Sequence, residues 1–330
     1  MSELRLSMAI LDYDRVRALG DGRVRPEGID LEIMHMEVEE IFWRQAKYAE
    51  FDVSEMSMST YVLNMERETF PFVAIPVFPS RYFRHQSMFV RKGAGISSPA
   101  DLRGKRIGVP EYQITAGVWQ RGILQDEYGV TPSEIHWFSG GVEQPGREEK
   151  TTISLPPDVE LTPIGNDQTL QQLLIDGELD ALFTAHVPPI LYEEDSPLVR
   201  LFPDFKSAEK EYFARTGIFP IMHVVVIRKS VLARDPWVAR SLLKAFEASL
   251  EFSYADLMYR SALKTMLPWS ADHVAETVAA LGDRYWTYGI DENRHVLDTF
   301  LRYHHEQGLS PRAYTSDEIF APSTAKSFTI

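Results

Sequence analysis

The sequence contains no cysteine. Disulfides, thiolate metal ligands and cysteine nucleophiles are thereby excluded together, while the compartment stays open on that count. No apolar run approaches the roughly 20 residues needed to span a bilayer. There is no glycine-rich phosphate loop, no HEXXH motif and no pair of histidines at a known zinc spacing. Internal repeats and low-complexity tracts are absent too. Positive charge is scarce: 34 Lys and Arg against 48 Asp and Glu leave a net charge of −14. Such a surface repels nucleic acid and anionic membranes, so neither is expected as a partner. It also gives weight to any local arginine or histidine cluster, since an anionic ligand would need one.

What is present is the composition of a soluble globular protein, 44% hydrophobic and 25% charged over 330 residues. That length exceeds one ordinary core and suits two lobes. The N-terminus reads MSELRLSMAILDYDR; Glu3 and Arg5 interrupt its only apolar stretch and Asp12 ends it. It is read as a first strand rather than a secretory signal, and a cytoplasmic location is expected.

Strand and helix signals alternate, which favours an α/β class with mainly parallel sheets. Strands are expected at Leu4–Ile10, Ile29–Met34, Phe51–Met56, Val73–Val77, Ser87–Val90, Lys105–Val109, Leu179–Phe183 and His223–Ile227. The last is a β-branched run of the kind buried on both faces. Helices are expected at Glu39–Tyr48 and at Thr115–Tyr128, the second closed by Gly129. Further helices follow Asn166 or Asp167, Asp235-Pro236 and Ser270. Ser98 and Pro99 form a turn signal before Gly104. Ser139–Pro163, rich in Gly, Pro and charge, reads as an exposed, mobile excursion. The order suggests a discontinuous first lobe, residues 1–98 plus 216–330, and an inserted second lobe, residues 99–215. Crossings are expected near Arg91–Ala100 and Arg215–Pro220, making a hinge with a ligand cleft between lobes.

Several groups bear chemistry. Arg81, Arg84 and His85 cluster just after a strand end, where parallel sheets place ligand groups. Arginine's planar fork matches a carboxylate, and histidine changes charge near neutral pH; the plainer reading is a solvated loop. Glu111, Tyr112 and Thr115 lie between a strand and a helix start, a ready anion site, although Glu111 would also simply favour the helix dipole. Trp119 is read as core packing. His223 opens a buried strand, either as a satisfied core residue or as a proton donor. His186, at another strand end, has the same two readings. After the first strand, Tyr13 is suited to stack on a ring, Asp14 to accept from a phenol and Arg15 to bind an anion. Asp12 is read as an N-cap with a first-turn ion pair. Ser57, Ser59 and Thr60 offer donors to a carboxylate. His304 and His305 are expected to face solvent. A metal would require His85, His186, His223 and Glu111 to converge, which no spacing supports, so no metal or cofactor is assigned.

Six segments carry a resemblance: DYDRVRAL (Asp12–Leu19), FPSRYFRHQS (Phe78–Ser87), VPEYQITAGVWQRGIL (Val109–Leu124), FPIMHVVVIR (Phe219–Arg228), YGIDENR (Tyr288–Arg294) and EQGLSPR (Glu306–Arg312). In the same order over almost the whole chain, they resemble the 4,5-dihydroxyphthalate decarboxylase family. The resemblance implies a two-lobed type II periplasmic-binding-protein fold. It also implies release of carbon dioxide from an aromatic dicarboxylate without an organic cofactor. One departure stands out: the family pattern implies an arginine in the loop after Leu179–Phe183, where this chain reads DALFTAHVPP with His186.

Chemistry narrows the demands. Direct loss of carbon dioxide would leave an aryl carbanion, so the ring carbon must be protonated first, helped by a hydroxyl para or ortho to it. The site needs a proton donor, an acceptor at the phenol and cations for the retained carboxylate. The expected donors and acceptors are His85 or His223, with Asp14 or Glu111 at the phenol. The substrate-binding set is Arg81, Arg84, Tyr13, Arg15, Ser57, Ser59, Tyr112, Thr115 and His186. The expected partner is a small aromatic acid, and a homo-oligomer is the assembly considered. The competing reading is a solute-binding protein for an aromatic acid, which would need an export signal. A further one, an enzyme consuming a bound pyridoxal group, would need a lysine in the candidate loops, where none is read.

Overall fold

The computed structural model describes residues 3–324. Its strands are β1 (Leu4–Ile10), β2 (Ile29–His35), β3 (Val53–Ser57), β4 (Phe72–Ile75), β5 (Met88–Arg91), β6 (Arg106–Val109), β7 (His136–Ser139), β8 (Leu161–Pro163), β9 (Ala181–Phe183), β10 (Leu198–Arg200) and β11 (His223–Arg228). Its helices are α1 (Asp14–Gly20), α2 (Val38–Tyr48), α3 (Met58–Asn64), α4 (Thr115–Tyr128), α5 (Leu170–Ile175), α6 (Phe205–Thr216), α7 (Lys229–Arg234), α8 (Val238–Leu257), α9 (Ser270–Leu281) and α10 (Arg294–Glu306). Two compact units result. The first comprises Met1–Arg81, Ile221–Leu297 and Thr315–Ile330; the second comprises Tyr82–Pro220 and Asp298–Tyr314.

The first unit holds a five-stranded sheet in the order β2-β1-β3-β11-β4. β1 runs parallel to β2 and β3, whereas β11 runs antiparallel to both β3 and β4. Val224, Val225, Val226 and Ile227 of β11 are completely buried, as a β-branched run between two neighbours should be. Helix α8 buries Leu242, Leu243, Phe246 and Leu250, each contributing about 1.5–3 kcal/mol. Its Ser253 hydroxyl donates to the Asp14 carbonyl, anchoring the start of α1.

The second unit holds a six-stranded sheet, β10-β5-β9-β6-β7-β8. β6 is parallel to β7 and β9, and β5 is antiparallel to β9 and β10. Both sheets are therefore mixed rather than mainly parallel. Strand direction depends on which end of the sheet the chain re-enters, a property no local pattern carries. Helix α4 is buried from Thr115 through Leu124. Gly122 is required there, because a Cβ would sit 2.1 Å from the Tyr303 ring.

Several local expectations need correction. β5 hydrogen-bonds into the second sheet, so the first division falls at Arg81–Tyr82 rather than near 91–100. Residues 298–314 also group with the second unit. Tyr13, Thr169 and Trp269 occupy the N-cap positions expected of Asp12, Asn166 or Asp167, and Ser270. Asp12 does make the expected ion pair, with Arg17. The segment 139–163 is no free excursion: β7 ends in it, β8 closes it, and its middle is pinned by buried carboxylates. His304 is buried, with Nδ1 3.1 Å from Ser310 Oγ, while His305 is exposed. Neighbours on a helix point about 100° apart, and here the buried face of α10 takes His304 while His305 lies outside it.

Candidate active site

In the first unit, β1 and β3 end on the same edge of the sheet, and antiparallel β11 begins there, with His223 opposite Ser57. Ser57 turns β3 directly into α3, accepting a hydrogen bond from Thr60 N. The Met58 amide donates to the Met222 carbonyl at 3.0 Å, fixing the approach of His223.

The centre of this edge is Glu55, which sequence reasoning passed over. Its side chain is fully buried. Oε2 accepts from the Leu11 amide at 3.3 Å, and Oε1 accepts from the Tyr13 hydroxyl at 2.7 Å. His223 Nδ1 lies 2.5 Å from Oε1. Burial, reinforced by Glu55, pushes the Tyr13 phenol well above the usual tyrosine range, so it remains a donor. The His223 ring is packed edge-on by Phe42 at 5.0 Å and stays partly accessible. The available signal was an acid in the all-buried strand VSEMS, where a carboxylate persists only if it is paired or hydrogen-bonded.

Arg15 completes the edge. Its guanidinium lies between the Tyr13 and Trp286 rings, 4.0 and 4.1 Å from their centroids. Nε donates to the Pro79 carbonyl at 2.5 Å and Nη1 to Asp14 at 3.0 Å. Nη2 has no hydrogen-bond partner among the described residues. Arg15 and Trp286 also border a cavity of about 160 Å³ walled by Tyr254 and Tyr285. Ser59 is buried in α3.

Arg81 is committed elsewhere in this unit. It is buried, and it donates to the Thr287 carbonyl at 3.1 Å and to Asn293 Oδ1. Desolvation lowers its pKa to about 9.

The second unit holds the other candidates. His85 is 1% exposed, boxed by Phe202 and Tyr212 at 5.0 and 5.2 Å, and its Nδ1 meets no hydrogen-bond partner among the described residues. Burial, with Arg215 adding to it, depresses its pKa to about 4. Near neutral pH this favours the uncharged ring. Arg84 is buried and donates to the Ala185 carbonyl at 2.9 Å, its pKa lowered by desolvation to about 10. His186 is exposed and pairs with Glu143 at 2.9 Å.

Glu111 is wholly buried and saturated. Arg147 donates to Oε1 through Nε and Nη2 at 2.8 and 2.6 Å, and Lys150 Nζ lies 3.2 Å away. Gln113 and the Lys150 amide donate to Oε2 at 2.9 and 3.1 Å. A lysine thus does reach a candidate loop, although none was read there. Beside this clasp, Glu149 accepts from the Tyr112 amide, and burial raises its carboxyl to about 7. Arg121 stacks on Tyr112 at 3.7 Å. Thr115 opens α4 and is buried. Trp119 is core, against Phe300 and Tyr303, as expected. His85, His186, His223 and Glu111 each meet different partners, and among the described residues no three acids or histidines are grouped to hold a metal ion.

The fold and this edge define a class. The structure matches the periplasmic aliphatic sulphonate binding protein of Escherichia coli with a TM-score of 0.54 at 10% identity, covering 98% of this chain and 99% of that one. A sulfonate-binding protein from Methylobacillus flagellatus gives 0.51 at 13% identity, covering 98% and 93%. The architecture is therefore the two-lobed type II periplasmic-binding-protein fold. No family model matches the sequence. Among curated proteins, 4,5-dihydroxyphthalate decarboxylase of Comamonas testosteroni is 44% identical over 331 residues, covering all of both chains. That of Pseudomonas putida is 41% identical over 213 residues, 64% of this chain and 83% of its own. The chain belongs to the 4,5-dihydroxyphthalate decarboxylase family.

Proposed function

We propose that the protein is a carbon-carbon lyase that decarboxylates 4,5-dihydroxyphthalate to protocatechuate. The full-length 44% identity to the Comamonas testosteroni enzyme carries this reading. The geometry of the first unit supports it, because that edge supplies what the chemistry demands. His223, as imidazolium, delivers a proton from Nε2 to the ring carbon bearing one carboxylate. The para hydroxyl donates electron density, and its proton passes to Asp14, which is half-exposed beside Arg15. The ring-to-carboxylate bond then breaks, carbon dioxide leaves, its electron pair restores the aromatic ring, and the phenol recovers its proton. One proton is consumed overall.

Arg15 Nη2 anchors the retained carboxylate, and the flanking rings hold its guanidinium in place. Tyr13, Ser57 and Ser59 line the same edge. Arg81, Arg84, His85 and Glu111 are left out of the reacting set, because their polar groups are buried or already taken up by protein partners.

Among the described residues no helix is long and apolar enough to cross a membrane. A cytoplasmic site of action is part of the proposal, in keeping with the curated relatives being named as decarboxylases.

The test is incubation of pure protein with 4,5-dihydroxyphthalate in D₂O, following carbon dioxide by trapping and protocatechuate by NMR. Deuterium should appear at the vacated ring carbon. Binding without turnover would favour a solute-binding role instead.

A further inference from the structure

We infer that Glu55 is the positioning residue that makes Nε2 the proton-carrying nitrogen of His223. This rests on the reading of His223 as the donor. A carboxylate only accepts hydrogen bonds. Glu55 already takes one from the Leu11 amide and one from the Tyr13 hydroxyl, and the 2.5 Å approach of His223 Nδ1 requires the proton to sit on Nδ1. Nε2 is then left as the nitrogen that gains and releases a proton. Among the described residues Glu55 forms an ion pair with no lysine or arginine; its recorded partner is His223. Phe42, packed edge-on to the ring, holds its plane. The arrangement is the carboxylate–imidazole pairing by which other enzymes fix a histidine's tautomer and orientation, here built between two adjacent strands.

The substitution Glu55→Gln separates positioning from packing. A glutamine has one accepting oxygen. Keeping the Leu11 amide satisfied turns its NH₂ toward His223 Nδ1, where it donates and drives the neutral ring's proton to Nε2. The expected result is a folded variant whose kcat falls on the order of 10²–10³-fold, with KM moved by less than about threefold. Glu55→Asp should recover part of the loss. The decisive spectroscopic readout is ¹⁵N NMR of histidine-labelled protein, with the His223 signals assigned by their absence in His223→Gln. Wild type should show neutral His223 protonated on Nδ1, and Glu55→Gln should show it protonated on Nε2.

An Nε2-protonated His223 in wild type overturns the inference, as does a folded Glu55→Gln variant with kcat within about threefold of wild type. If Glu55→Gln fails to fold, the wild-type tautomer decides alone. If wild type does not turn over 4,5-dihydroxyphthalate, the functional reading falls, and the tautomer measurement still reports on what Glu55 does to His223.

Discussion

His85→Phe tests most directly how the second unit holds its histidine. The ring sits in an aromatic box with Nδ1 meeting no hydrogen-bond partner among the described residues, so phenylalanine replaces it nearly isosterically and loses no hydrogen bond at that atom. The fall from 6.5 to about 4, at about 1.4 kcal/mol per pH unit, amounts to about 3 kcal/mol. The direction follows from where protons bind. Below 6.5 the unfolded chain protonates this side chain, and the folded protein resists until about 4. Stability is therefore lost as pH falls across that window and is fully present above it. Glu149 and Glu209, both raised to about 7 by burial, work the opposite way: they bind protons in the folded state, and their contribution is lost as pH rises from 4.5 to about 7. A raw stability curve mixes these effects, but the difference between wild type and His85→Phe isolates the histidine. Equilibrium urea unfolding followed by tryptophan fluorescence should show wild type losing about 3 kcal/mol more than the variant between about pH 7 and about pH 4. Any overpacking by the larger ring is independent of pH and drops out. A flat difference would refute the reasoning, because it would mean that the ring exchanges protons with solvent in the folded protein. On the same grounds the folded variant should retain turnover near neutral pH.

Three further outcomes are expected. Arg15→Met should raise KM for 4,5-dihydroxyphthalate by about 10–100-fold, the loss of a charged hydrogen bond worth about 1.5–3 kcal/mol, with a smaller change in kcat, read from steady-state kinetics. Gly122→Ala places a methyl against the Tyr303 ring, which is itself held by Trp119 and by a hydrogen bond to Asp126. It should lower stability by about 1–3 kcal/mol despite alanine's better helix propensity, measurable as a reduced unfolding midpoint. Glu111→Gln weakens the clasp on Arg147 and Lys150. Because those cations are 30% and 24% exposed and can turn to water, the cost should be about 1–3 kcal/mol rather than the full penalty of a broken buried pair, and limited proteolysis within 143–151 should accelerate.

How far the sequence was legible depended on whether a signal was local. Helix α4 was read at both ends because Gly129 stops it with a left-handed φ of 64°, a conformation glycine adopts without penalty. The Ser98 turn was read from Ser98, Pro99 and Gly104, which lie within a few residues of one another; the structure adds a capping box with Asp101. β11 was visible as an unbroken β-branched run, but not its antiparallel direction, which exists only relative to β3 and β4. β8 has three residues, too few for any periodicity. In the candidate site, Tyr13, Arg15 and His223 were visible as chemical groups near strand ends, and the structure places them at the ends of β1 and β11 in one sheet. Glu55 was missed because an acid inside an apolar strand looks like a break in the pattern until its donors are known. For the arginines of the SRYFRH block, a loop in sequence gave no hint that Arg81 and Arg84 would be buried with hydrogen bonds to backbone carbonyls.

By itself the amino-acid order determined the α/β class, most element positions and, through its family blocks, the kind of reaction to expect. These follow from propensity, spacing and composition, which act over a few residues at a time. Only the tertiary structure decided that His223 meets a buried carboxylate while His85 is sealed among aromatic rings. Burial and hydrogen-bond partners set a side chain's charge and reach, and for His223 they come from residues 168 positions away in the chain.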